Sequence, residues 1–220
     1  MNSRADILNR LRGRLGRTAE TAASGNEEIA TYLSARSRGP QPHTIADPIQ
    51  IFCEKSEHLS SSIEIVAALR DVPQAIARYL ANKELPPHAI CWPEYAALDW
   101  SATHIAVEAR PVRDGDITGI TGCFCAIAET GTLMLCSGNS TPAATSLLPE
   151  THIAIVPAAR IVPVMEDGWQ LARTTFGATH WPRAINFISG PSRTGDIEQT
   201  IVLGAHGPYR VHVVIVQEYR

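Results

Sequence analysis

One hexapeptide narrows the possible folds more than any other stretch: Val211-His212-Val213-Val214-Ile215-Val216. Side chains along a strand alternate between the two faces of a sheet, and here both faces are apolar except at His212. Such a strand is hard to reconcile with a solvated edge, so it is predicted to lie inside a sheet covered on both sides. Other short apolar runs recur along the chain: Ala89-Ile90-Cys91-Trp92, Ile105-Ala106-Val107, Thr132 to Cys136, Ile153 to Val156, Ala184 to Ile188 and Ile201 to Leu203. Helical signals fall between them. Asp71-Val72-Pro73 opens a helix running to about Lys83, with Asp71 near the cap and Pro73 in the first turn, and Pro163 to Arg173 reads as another. Strands interleaved with helices predict an α/β fold of three α/β/α layers around a mainly parallel sheet. The 220 residues, 45% of them hydrophobic, are enough for one domain with a sizeable core plus an appendage.

The appendage is N-terminal. Ser3-Arg4-Ala5-Asp6 has the form of a capping box, and Ile7, Leu8, Leu11 and Leu15 follow at helical spacing. A helix over Ser3–Leu15 that buries this stripe is the expectation, because an isolated helix so short is marginal in water. After Gly16 the chain turns polar, and Gly39-Pro40-Gln41-Pro42 forbids regular structure locally. Residues 1–46 are therefore read as a helix and linker, and residues 47–220 as the α/β domain. Arg4, Arg10, Arg12, Arg14 and Arg17 fit a solvated basic helix face better than an organellar transit signal.

A net charge of −3 argues against a nucleic-acid binder working through a basic face. No apolar run approaches the ~20 residues that cross a bilayer. The N-terminus lacks the apolar segment of a secretory signal, and the cysteine count of five is odd, which together predict reduced thiols in a cytoplasmic protein. Cys53, Cys91, Cys123, Cys125 and Cys136 contain no C-x-x-C spacing, so they read as apolar thiols rather than cluster or zinc ligands. No metal site and no cofactor is expected.

Four polar segments flank the predicted strands. In Asp114 to Gly122, the glycines and threonines suit a helix entry capped by Asp116 or Thr118. In Ala126 to Thr132, Glu129 follows an apolar stretch and precedes Gly131. It is either a general acid/base or nucleophile in a desolvated setting, or a carboxylate satisfied by neighbouring N–H groups. In Ser189 to Asp196, Gly190 and Gly195 allow backbone N–H groups to converge, while Ser192, Thr194 and Arg193 add donors. That segment is either an anion cradle or a capped turn, with Asp196 capping or orienting a donor. Finally, Gly204-Ala205-His206-Gly207-Pro208-Tyr209 joins two apolar runs as a hairpin with His206 at its tip. His212 alternates along the last strand and reads as structural.

Taken together, Ala128-Glu129-Thr130-Gly131-Thr132-Leu133, Ser189-Gly190-Pro191-Ser192 with Thr194, Asp196-Ile197-Glu198, and Gly204 to Pro208 form a recognisable pattern. From about Asp114 onward, the chain resembles the lactate-utilisation protein C family, whose core is called the LUD domain. The resemblance implies a fold similar to the NagB/RpiA/CoA-transferase group. It also implies a role in bacterial L-lactate oxidation to pyruvate, as the subunit without clusters beside iron–sulfur partner proteins. Glu129 and His206 are then the candidate catalytic positions. Thr130, Gly131, Gly190, Ser192, Arg193, Thr194 and Asp196 are the candidate positions for a small anion. The alternative is a stand-alone CoA-transferase-like or sugar-phosphate-isomerase-like enzyme using Glu129, although no lysine lies near the four segments.

Overall fold

A computed structural model describes residues 3–16, 19–40, 47–197 and 200–219. Arg17, Gln41, Pro42 and Glu198 lie outside the described residues. By contacts the chain divides into two compact units, residues 1–42 and 43–220.

The first unit holds α1 (Ser3–Arg14) and α2 (Ala19–Ala35). The predicted helix is present, but the predicted burial of its stripe is not: Ile7, Leu8, Leu11 and Leu15 are all exposed. Four arginines and Asp6 within α1 leave an apolar strip too narrow to be enclosed. The stretch after Gly16 is not a loose linker over most of its length. Alanine, leucine and glutamate are strong helix formers, and in α2 they outweigh its polar residues and Gly25.

The second unit is built on a six-stranded sheet whose neighbouring strands all run parallel. Its strands are β1 (Ser62–Ala68), β2 (His88–Cys91), β3 (Ala106–Glu108), β4 (Thr118–Gly122), β7 (Thr151–Pro157) and β12 (Arg210–Glu218), in the spatial order β1-β12-β7-β4-β2-β3. The expected interior strand is therefore found, with β12 hydrogen-bonded to β1 on one side and β7 on the other. Val211 and Val213 to Val216 are all buried, as are Ile153 to Val156 on β7.

Helices flank this sheet. In α3 (Pro48–His58) the Asp47 carboxylate accepts the N–H groups of Ile49 and Gln50 at 3.0 and 3.1 Å, which satisfies donors that a helix start leaves orphaned. The next helix, α4 (Val72–Asn82), buries Val72, Ala75, Ile76, Tyr79 and Leu80 at helical spacing. Asp71 does not cap it; its carboxylate turns back to the Ala68 N–H at 2.9 Å. Short turns of helix, α5 (Pro93–Ala96) and α6 (Ala144–Leu147), follow β2 and precede β7.

A second sheet joins β5 (Cys125–Ile127), β6 (Thr132–Cys136), β8 (Ile161–Val162) and β9 (Ile185–Ile188) in the order β8-β5-β6-β9. Its two faces serve different layers. Ala126, Leu133 and Leu135 join the main core, while Cys125, Ile127 and Met134 pack with Ala172 of α7 (Met165–Phe176). Strand alternation supplies both faces from the same short segments.

Two expectations about connections are corrected. The Asp114–Gly122 segment does not enter a helix, because Thr118–Gly122 is the fully buried strand β4. Asp116 instead accepts from the two terminal guanidinium nitrogens of Arg110 at 2.7 and 2.8 Å, and from the Arg113 N–H at 2.7 Å. Nor do Ile201–Leu203 and the last strand form a hairpin around His206. The antiparallel pair is β10 (Arg193–Ile197) with β11 (Thr200–Leu203). Since β12 is paired on both sides within the large sheet, it has no edge left for β11.

Two histidines are enclosed by the sheet. His152 Nε2 lies 2.7 Å from Thr121 Oγ1, and His212 Nδ1 lies 2.9 Å from Ser62 Oγ. Burial pushes each imidazole down to about 4.

Candidate functional site

The motif residues form a connected set of ties. The turn Ala128–Thr130 leads from β5 to Gly131, which adopts a left-handed conformation at φ 62°. A side chain there would collide with α3, since an added Cβ would lie 2.6 Å from the Ser56 nitrogen. The close approach is used: Ser56 Oγ donates to the Gly131 carbonyl at 3.2 Å. Glu129 is half-buried, and its Oε1 accepts the Met165 N–H at the start of α7 at 2.7 Å. The N-cap Val164 has no capping side chain, and Glu129 joins Glu166 and Asp167 of the first turn in placing carboxylates where a helix N-terminus favours them. The carboxylate therefore has one neighbouring N–H as its partner. Thr130 is exposed, and its carbonyl accepts Thr132 Oγ1 at 3.4 Å.

Thr132 also links this turn to the Ser189 loop, with the two hydroxyl oxygens 2.7 Å apart. Gly190, at φ 81°, lies against the backbone of Leu59, where no side chain fits. Arg193 reaches the same place. Its Nη2 donates to the Leu59 carbonyl at 3.1 Å and to Ser60 Oγ, so a cation sits just past the C-terminus of α3. Ser192 binds the third loop through its N–H to the Pro208 carbonyl, its carbonyl from the Gly204 N–H, and its Oγ from the His206 N–H at 3.3 Å. His206 is exposed. Thr194 pairs with Val202 in the β10–β11 ladder, and Asp196 lies on β10.

The location of these loops matters as much as their bonds. The Gly204–Pro208 loop precedes β12, and the Leu59–Ser60 corner precedes β1, so both stand at the amino ends of the parallel strands. In open parallel sheets, ligands collect outside the carboxyl ends. That side of the molecule carries a cleft of about 430 Å³. Trp92, Glu94 and Tyr95 enter it beyond β2, Cys123 beyond β4, and Tyr219 beyond β12. Phe124, Cys136 and Phe176 form further wall, and Arg160 lies in the turn following β7.

The walls of the cleft are fixed by hydrogen bonds. The Trp92 indole N–H donates to the Pro142 carbonyl at 3.2 Å, and the Tyr95 and Tyr219 hydroxyls lie 3.2 Å apart. Burial pushes both phenols up, and it raises the Cys136 thiol to about 11. Cys123 is likewise pushed up by burial, against the pull of the Arg160 guanidinium. Burial thus favours the protonated form of both thiols. Among the described residues, no group of three His, Cys, Asp or Glu side chains is placed to hold a metal ion.

Sequence reasoning did not single out this cleft. The signal was present in position rather than in motif: Trp92 closes a predicted strand, and Arg160 follows Ile153–Val156 by a few residues.

Comparison with known proteins bears on the whole chain. It is similar to the lactate utilization protein C of an Exiguobacterium species, 28% identical over 224 residues, spanning 99% of this chain and 97% of the relative. The lactate utilization protein C of Bacillus subtilis is 26% identical over 99% of this chain and 98% of its own length. That of Halalkalibacterium halodurans is 42% identical over a shorter stretch, 54% of this chain and 52% of the relative. Among solved structures, a DUF162 family protein from Deinococcus radiodurans superposes with a TM-score of 0.60, at 24% identity, over 80% of this chain and 99% of that one, showing the same fold. With the LUD domain profile matching residues 104–216, just over half of the 220, the chain belongs to the LUD domain family.

Proposed function

We propose that the chain serves bacterial L-lactate oxidation to pyruvate as the component without iron–sulfur clusters, in the cytoplasm beside iron–sulfur partner proteins, with a small organic anion as its ligand. The observation that carries this reading is end-to-end similarity to proteins named lactate utilization protein C. The cysteine spacing supports it, since Cys53, Cys91, Cys123, Cys125 and Cys136 contain no C-x-x-C pair. No helix among the described residues is long and apolar enough to cross a membrane.

In this reading Glu129, Gly131, Gly190, Ser192 and Arg193 hold the second sheet and its loops to α3 and α7. A CoA-transferase or isomerase using Glu129 has less support, because its carboxylate already accepts the Met165 N–H. The test is deletion of the coding sequence from its host, followed by growth on L-lactate or pyruvate as sole carbon source. Loss of growth on L-lactate alone, restored by the intact chain, is expected. Unimpaired growth on L-lactate overturns the reading.

A further inference from the structure

Arg160 stands out among the residues lining the carboxyl-end cleft. Its guanidinium, with five donors, makes no hydrogen bond or ion pair to any described residue. Arg110, by contrast, is fully engaged with Asp116 and Glu108, and Arg193 with the Leu59 corner. An arginine left unmatched beside a cleft is suited to a planar anion, which it can grip through two parallel hydrogen bonds. A hydroxyl donor is also at hand. Ser137 Oγ accepts the Ala184 N–H at 2.9 Å, which leaves its own proton free to give.

The rest of the cleft sets the shape of the ligand. Trp92, Phe124 and Phe176 present rings, with the Phe124 and Phe176 rings stacked at 5.3 Å and Trp92 held by Pro142. Aromatic walls favour flat unsaturated bodies. Size points the same way. A three-carbon acid displaces roughly 100 Å³, three or four times a water's share of the liquid. The cleft offers about 430 Å³, within the range of sites that hold larger organic ligands.

We infer that this cleft binds an organic anion with a planar, unsaturated body, its carboxylate or phosphate held by Arg160 and its ring enclosed by Trp92, Phe124 and Phe176. The inference rests on the function proposed above only in that the ligand is an anion. Binding in vitro and growth on lactate are separate readouts, so either can fail alone.

The experiment is calorimetric titration of the full chain with 2-naphthoate, its neutral analogue 2-naphthamide, and pyruvate. Saturable binding of 2-naphthoate is expected, with 2-naphthamide and pyruvate each weaker by about tenfold or more, as loss of a charge-assisted contact or of the ring would cause. Arg160→Ala should weaken 2-naphthoate by about tenfold and leave 2-naphthamide unchanged. Its thermal unfolding should match the parent, since Arg160 ties no other residue. Arg70→Ala, an exposed arginine outside the cleft, should bind as the parent does. Equal affinity for naphthoate and naphthamide, equal affinity for naphthoate and pyruvate, or full binding by Arg160→Ala would each overturn the inference.

Discussion

The rings of Tyr79 and His212 stack with centroids 4.0 Å apart and planes 10° from parallel, fastening α4 to the interior strand β12. Stacking of this kind suits a neutral imidazole in an enclosed site. Glu64 and Lys83 also act on His212, in opposite directions, but burial is the larger influence and lowers it to about 4. His152, on β7 beside Thr121 of β4, is lowered to about 4 as well.

Each of these groups has a folded pKa below its ordinary 6.5, so the unfolded chain binds more protons between those values. Their stabilising contribution is complete above about pH 6.5 and lost as pH falls toward 4. The loss is on the order of 3 kcal/mol per histidine at the acid end. Urea unfolding at a series of pH values should show this decline, and His212→Gln should make it shallower. A pH-independent midpoint between 7 and 4.5 would refute the assignment.

Gly131→Ala should destabilise by roughly 2–4 kcal/mol, since the new methyl group meets the α3 backbone and the residue must stay left-handed. Gly115 provides the control. It also has a positive φ, 85°, but no atom within 4 Å of an added Cβ. Gly115→Ala should therefore lose only about 1 kcal/mol. Denaturant midpoints of the two variants separate collision from backbone strain.

Glu129→Ala should lower stability by about 1–2 kcal/mol by uncapping α7, whereas Glu129→Gln keeps an acceptor for the Met165 N–H and should lose about half as much. Complementation of lactate growth distinguishes capping from chemistry. A residue that only caps leaves the Gln variant functional. A nucleophile or base does not.

Asp116 and Arg110 form a two-pronged ion pair with side chains 7% and 16% exposed. The guanidinium holds the Asp116 carboxyl down at about 2. Asp116→Ala removes both prongs of this pair and leaves Glu108 as the carboxylate partner of Arg110, so stability should fall, measured by thermal or urea unfolding. Being depressed, this carboxylate contributes above pH 3.8 and ceases to do so only as pH falls through about 2. Its loss is thus separable from that of the histidines.

The sheet was legible because parallel strands covered on both faces need little but apolar, β-branched residues. Val211–Val216, Ile153–Val156 and Ala89–Cys91 all read directly. β4 did not, because Thr118-Gly119-Ile120-Thr121-Gly122 has the composition of a turn. Its glycines answer a tertiary demand: a Cβ on Gly119 would strike the Thr145 carbonyl of α6, and one on Gly122 would strike Tyr95. The same applies to the motifs. The partners of Glu129 and Arg193, Met165 and Leu59, lie 36 and 134 residues away, beyond any local reading. The cleft went unseen for the converse reason, since Trp92, Arg160 and Tyr219 are isolated letters until the strands align them.

The placement of β12 between β1 and β7 governs how the molecule can be made. As the chain leaves the ribosome, β1 emerges far ahead of β12, and the two strands meant to flank β12 have no partner on their facing edges. Until residue 218 is free, those edges stay open, with Val66, Ile153 and Ile155 beside them awaiting cover. The central layer closes in one late, long-range event, and a slow final folding phase is its natural signature. Nascent chains stalled before Arg210 would be the species most prone to pair with one another.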